Sequence, residues 1–270
     1  ACHIIKKKFG STVIIFNNLW SEDHLTECFI KTLIKENFIA LKTQRNPCYY
    51  TEIKDDFAIF LKIKFKRKRR KELRREERKL TQIGPIRLLE YRDNEIDEDI
   101  INRIKEIQNN SWMVRRHADY LNKIFYKKLI YKTRMDNSGC IYILQLANKD
   151  IAFLYGLTKN KIFHAIFTAF DMTYQNNYSP GKLLIKLVIE RNTNLGIKIF
   201  DFGHGEAEYK KFWSTNKNNV YRIVCGNGVM EKFISIGLYS IWNFHNNQTV
   251  FIKKWTSKNG SIVNNLCISR

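Results

Sequence analysis

Residues 141–170 read IYILQLANKDIAFLYGLTKNKIFHAIFTAF, and this stretch decides the fold. Three runs rich in β-branched and aromatic residues, 141–147, 151–158 and 161–170, are separated only by Asn148-Lys149-Asp150 and Lys159-Asn160. Polar turns that short predict an antiparallel meander. Downstream, a loop at 171–179 leads to Pro180-Gly181 and an apolar helix carrying Leu183, Leu184, Leu187 and Val188. Gly196 is placed to close that helix as a left-handed cap. A short strand at 197–202 runs into Gly203-His204-Gly205, followed by a strand at 220–224 and an amphipathic helix around 231–243.

Upstream the apolar spacing turns helical. Ile100, Ile101, Ile104 and Ile107 mark a helix over 97–112, capped by Asp97 or Asp99, and Leu121, Ile124, Phe125 and Leu129 mark another over 117–132. One long helix is expected from Phe57 to the Gly84-Pro85 stop, with Leu61, Phe65, Leu73 and Leu80 as its sparse apolar markers. Before it, a strand at 12–16 and a helix at 22–36 precede Pro47, where the pattern breaks. This order of elements predicts an α+β, or mixed α/β, class.

With 270 residues, 44% hydrophobic and 13% aromatic, the chain has material for a packed core, which excludes disorder as a reading of the whole. Only 3 Pro and 12 Gly exclude a collagen-like or linker-dominated architecture. No apolar run approaches the ~18–20 residues that cross a bilayer; the longest candidate, 233–244, is interrupted by Ser235, Gly237, Ser240 and Asn243. The formal net charge is +21, and between Lys62 and Lys79 twelve basic residues stand against Glu72, Glu76 and Glu77. Such a segment attracts phosphates, nucleic acids or acidic head groups, though an ordinary solvated helix is equally basic. The six cysteines (2, 28, 48, 140, 225, 267) form no CxxC pair and the six histidines are scattered. Free thiols, a cytoplasmic location and no metal are therefore expected.

Two further segments carry chemistry. Tyr178-Ser179-Pro180-Gly181-Lys182-Leu183-Leu184 opens a helix directly after the meander. Free backbone N–H groups and the positive end of the helix dipole suit such a place to a phosphate, although Ser-Pro-Gly also begins ordinary helices. The second, Asp201-Phe202-Gly203-His204-Gly205-Glu206-Ala207-Glu208-Tyr209-Lys210, puts two glycines at a strand end among carboxylates, an imidazole, a phenol and an ammonium. A kinase reading of its Asp-Phe-Gly is rejected, because no glycine-rich loop or His-Arg-Asp segment precedes it.

In this order and spacing the segments resemble GNAT-fold acetyltransferases of the cellulose and exopolysaccharide biosynthesis type, relatives of the FemAB peptidoglycan-bridge ligases. The resemblance runs over about residues 48–225: the basic stretch 66–76, Ser111-Trp112, the meander, Tyr-Ser-Pro-Gly-x-Leu-Leu, then Asp-Phe-Gly-x-Gly and Tyr209-Lys210. It departs at Glu206-Ala207-Glu208, where the family often has Asp-Glu-Pro. Full-length relatives commonly carry two such halves, for which residues 1–47 are too short.

The resemblance implies a largely antiparallel mixed sheet flanked by helices, and direct transfer of an acyl group from acetyl-CoA or another acyl-CoA to an amine. It places the pyrophosphate at Ser179, Gly181, Lys182 and Leu183. Glu206 and Asp201 are the base or orienting candidates and Tyr209 the proton donor, while Trp112, His204 and Lys210 are substrate contacts. Asp201 has the alternative of simply tying its turn, and His164, in mid-strand, reads as a packed core residue. The implied division is a partial α/β region at 1–56, the basic helix at 57–84, the acyltransferase domain at 85–228 and a helix with tail at 229–270. The acceptor is expected to be an amine of a sugar, envelope precursor or metabolite. Two alternatives stay open: an aminoacyl-tRNA-dependent transferase of the Fem kind, with tRNA on Lys62 to Lys79, and an inactive fold that binds polyanions.

Overall fold

Two tight turns shape the central sheet. Ala147 and Asn148, and then Asn160 and Lys161, all take positive φ, between 47° and 67°. Paired left-handed residues give the turn whose twist matches that of the strands it joins. In this computed structural model, which describes residues 13–20, 24–53, 56–115, 120–174 and 178–245, the turns connect β4 (Gly139–Leu146), β5 (Lys149–Lys159) and β6 (Ile162–Phe170). The meander is antiparallel throughout.

The chain divides into two compact units, one of residues 48–217 and one of 1–47 with 218–270. In the first, the end of β2 (Ile39–Glu52) and β3 (Ile86–Arg92) join the meander and β7 (Ile199–His204) in the order β2-β7-β6-β5-β4-β3. Alternation along β4 sends Tyr142 and Leu144 to one face, with Leu184, Val188 and Trp213, and Ile141 and Ile143 to the other, with Ile104 and Ile107. The first face is covered by α2 (Phe57–Lys64), α3 (Arg67–Thr81), α7 (Pro180–Asn194) and α8 (Glu208–Trp213). The second is covered by α4 (Glu98–Asn109), α5 (Trp112–Arg115) and α6 (Ile124–Met135). In the other unit, β1 (Val13–Trp20) pairs antiparallel with β8 (Asn216–Gly226). There α1 (His24–Lys35) contributes Leu33 to a small core with Phe38, Ile223 and Cys225, and α9 (Val229–His245) ends the described chain.

Several expectations change. The long basic helix is two helices, because Phe65 turns extended (φ −123°, ψ 132°) and buries its ring against Phe212 and Trp213, at 4.9 and 5.4 Å between centroids. Arg70 donates to the Phe65 carbonyl at 2.6 Å and fixes the break. Pro47 does not stop the chain: β2 runs straight through it, with Pro simply lacking one ladder donor. β3 was not anticipated, yet it pairs with β4 along its whole length. The helix expected over 117–132 starts at Ile124, while residues 116–119 lie outside the described set, as do 12, 22 and 23 from the N-terminal elements and the cysteines at 2 and 267. Asp97 rather than Asp99 caps α4, accepting the Ile100 N–H at 3.0 Å. Gly196 closes α7 at φ +76° as expected. Cys28, Cys48, Cys140 and Cys225 form no disulfide.

What positions the site is the join between β6 and β7. They run parallel through three rows, Ile162↔Ile199, Phe163↔Phe200 and His164↔Asp201. There the pairing ends, although β6 continues to Phe170. The register of β6 against β5 slips just beyond, from Ala165 opposite Gly156 to Phe167 opposite Tyr155, which makes Ile166 the extra residue of a bulge. A bulge bends its strand and strengthens the twist, and here it does so where the two parallel strands part. Across β7, the register with β2 also shifts between Tyr50↔Asp201 and Cys48↔His204, around Gly203 at φ +72°.

Candidate active site

At the last shared row the side chains of His164 and Asp201 meet, with His164 Nδ1 2.9 Å from Asp201 Oδ2. His164 is 39% exposed, so the expectation of a packed core histidine is corrected: its neighbours Phe163 and Phe167 are buried, but the imidazole has a carboxylate partner. Asp201 also accepts the Gly203 N–H at 2.8 Å and the Cys48 thiol at 3.5 Å. Burial alone would raise its carboxyl, but the hydrogen bonds from His164 and Gly203 outweigh it and hold the group below its ordinary value. An ionised carboxylate only accepts, so the Nδ1 that faces it carries a proton, which leaves Nε2 as the nitrogen able to accept one when the ring holds a single proton. Burial, with Asp201 nearby, pushes the Cys48 thiol up to about 12. That sulfur is a donor to the carboxylate, and no nucleophile.

Asp201 thus ties its turn through the Gly203 N–H and holds the His164 imidazole. Its effect on folding has a definite sign. A carboxyl whose folded value lies below its ordinary 3.8 stabilises the fold above that pH, and the contribution is lost as pH falls through the lowered value. Asp201→Asn is therefore expected to cost about 1–3 kcal/mol at neutral pH. In urea unfolding, the gap to the parent chain should close in acid; a constant gap down to the acid transition would contradict the assignment.

The other expected residues divide. Lys210 donates to the carbonyls of His204 and Gly203, at 2.7 and 3.3 Å, so its ammonium is engaged with the turn rather than presented to a substrate. Burial pulls that ammonium below its ordinary range, against the opposing pull of Cys48 and Asp201. Glu206 is exposed and pairs with Lys211 at 3.2 Å. Tyr209 packs half-buried against the larger core, and burial, with the Tyr120 phenol adding, pushes it up to about 12. His204 is exposed at the end of β7, and Trp112 packs half-buried at the start of α5.

At the head of α7, Ser179 precedes Pro180 without capping the helix through its side chain. Leu183 is corrected as a phosphate ligand, because its N–H is donated to Ser179 O at 3.1 Å and its side chain is buried in the core. Pro180 has no N–H, so the first turn has Gly181 and Lys182 to offer. Lys182 Nζ lies 3.4 Å from Glu76 and Lys186 Nζ 2.7 Å from Glu77, which fastens α3 to α7. Glu72 is paired with Arg69 at 2.7 Å. With its three carboxylates engaged, α3 keeps Arg67, Lys68, Lys71, Arg74, Arg75 and Arg78 exposed. Among the described residues there is no cluster suited to a metal ion, and no helix is long and apolar enough to cross a membrane.

Residues 67–211 match the family model described as an acetyltransferase (GNAT) domain. No curated protein matches the chain. Among solved structures, FemX superposes with a TM-score of 0.61 at 11% identity, over 88% of this chain and 76% of FemX. The C-terminal domain of a protein described as a lysylphosphatidylglycerol synthetase, from Agrobacterium fabrum, gives 0.60 at 11% identity, over 90% of this chain and 76% of that one. The L-PGS structure from Bacillus licheniformis gives 0.57 at 10% identity, over 88% and 75%. At such identities the likeness is one of fold.

Proposed function

The chain belongs to the GNAT acetyltransferase domain family, and from that premise we propose that it moves an acyl group, acetyl in the simplest case, from an acyl-CoA to a primary amine of a sugar, envelope precursor or metabolite. The observation that carries this reading is the His164–Asp201 pair on the last row shared by β6 and β7. An acyl-CoA brings an activated thioester and a pyrophosphate handle. The Gly181 and Lys182 N–H groups, at the positive end of the α7 dipole, suit the pyrophosphate. The unpaired edge of β6 beyond the bulge suits an extended arm carrying amide groups.

The chemistry needs a C–N bond made, a C–S bond broken and two proton transfers. His164 Nε2 takes the proton from the attacking amine, while Asp201 keeps the ring in the required tautomer and offsets the charge it gains. Tyr209 stays protonated at neutral pH and gives its proton to the departing sulfur. Glu206 is left to steer a cationic amine by charge. Calorimetry against acetyl-CoA, longer acyl-CoAs and tRNA tests the donor: saturable binding of an acyl-CoA is expected, and tRNA binding with no acyl-CoA binding would reject this reading.

The exposed cations of α3 favour a second reading, in which the donor is an aminoacyl-tRNA. Affinity for tRNA should then fall about tenfold or more between roughly 50 and 200 mM salt. Replacing Arg74, Arg75 and Arg78 by Gln should flatten that slope; Arg70 is spared, because it holds the break before α3. Salt-independent binding would return α3 to a plain solvated helix.

A further inference from the structure

α6 carries apolar side chains on both its inner and its outer side. Its inner side is ordinary: Tyr126, Leu129 and Ile130 pack into the second core, and Tyr126 meets the rings of Tyr120 and Phe167 at 4.9 and 5.5 Å. The outer side is not. Ile124, Phe125, Tyr131 and Met135 are 71%, 66%, 66% and 62% exposed. At 100° per residue, Ile124, Tyr131 and Met135 fall within about 40° of one another and form one stripe. Exposed lysines flank that stripe, Lys127 on one side and Lys128 and Lys132 on the other, with Lys123 at the helix start. From 120 to 135 there is no acidic residue; Asp119 and Asp136 border the stretch, Asp119 lies outside the described residues, and Asp136 is taken up by Lys132 at 3.1 Å. Of the two acids that share a cleft with Lys127 and Tyr131, Asp97 caps α4 and Glu98 lies 3.7 Å from Lys105.

We propose that this face of α6 docks on an anionic lipid surface, its apolar stripe entering the head-group boundary and its lysines reaching the lipid phosphates. A patch of lysines alone fits any polyanion, and an apolar stripe alone does not say what covers it. Interleaved as here, they match a helix lying in a membrane interface, where lysine stems cover apolar surface while the ammonium groups stay at the phosphates. Cations near such a surface add attraction that salt weakens. The surface is distinct from α3, which carries cations on its outer side without an apolar stripe.

The test is co-sedimentation of the intact chain with vesicles of phosphatidylcholine, alone or with an equal part of phosphatidylglycerol, at about 0.1 M salt. Binding is expected only to the mixed vesicles. The double substitution Ile124→Ser with Met135→Ser, at exposed positions where folding is checked by circular dichroism, is expected to weaken it about tenfold or more, as is Lys127→Gln with Lys128→Gln. His164→Gln should bind as the parent does, which separates docking from transfer. Undiminished vesicle binding by the serine double variant would overturn the proposal. So would loss of binding on neutralising Arg74, Arg75 and Arg78 instead, or α6 substitutions that weaken binding of an RNA oligonucleotide and leave the vesicles unaffected.

Discussion

His164→Gln is expected to lower turnover by about 10²–10⁴-fold, the range of a positioned acid–base group, with acyl-CoA affinity nearly unchanged. Glutamine keeps a side-chain N–H for Asp201 and so preserves the 2.9 Å contact that orients this position. What it removes is the basic nitrogen. Because His164 is partly exposed and lies at the end of a pairing row, the fold should tolerate the exchange with little loss of stability. Tyr209→Phe is expected to lower turnover less, since water can protonate a departing thiolate. Steady-state kinetics with a fixed amine checks both. Full turnover by His164→Gln would remove the imidazole from the mechanism and return the base to another group, with Glu206 first in line.

Gly181→Asp is expected to weaken acyl-CoA binding by roughly ten- to a hundredfold, on the order of 1–3 kcal/mol, by setting a negative charge beside the pyrophosphate. The helix itself should not object, because a carboxylate in a first turn favours the dipole. Space is tighter: a Cβ at 181 would lie 3.1 Å from Phe170 Cδ1, so the half-buried ring must give slightly. Gly181→Ala carries the same steric change without the charge and separates the two effects. Titration calorimetry on the parent and both variants decides. If aspartate and alanine weaken binding equally, packing against Phe170 is responsible and no phosphate lies at this turn.

How much of this was legible in the sequence depends on the range of the interaction. The meander was plain, because its alternation has period two and its turns hold Asn residues that tolerate positive φ. The start and end of α7 followed from Pro180 and Gly196 for the same local reason. β3 escaped because Gly84-Pro85 read as the end of a helix, while the Ile86, Leu88 and Leu89 pattern was too short to announce a strand. The break at Phe65 escaped because it is set by tertiary packing on Phe212 and Trp213, residues almost 150 positions away. The site shows the same divide. Asp201, Gly203 and Lys210 stood out as one motif, and they do meet. Their partner His164 comes from a strand 37 residues upstream, embedded among Phe163, Ala165 and Phe167. A parallel register that sets Ile162 against Ile199 puts His164 opposite Asp201, and that register was the one signal able to reveal the pair. Glu206 drew attention by adjacency to the glycines, whereas its carboxylate turns to Lys211.

The most direct measurement is the release of free thiol from acetyl-CoA by the intact chain, followed with and without a panel of primary amines that includes amino sugars. Acyl transfer at the His164–Asp201 pair predicts thiol release that depends on the amine, appears in equal amount with the N-acyl product, and collapses in His164→Gln. Thiol release that is indifferent to every amine, or that persists unchanged in His164→Gln, would contradict it.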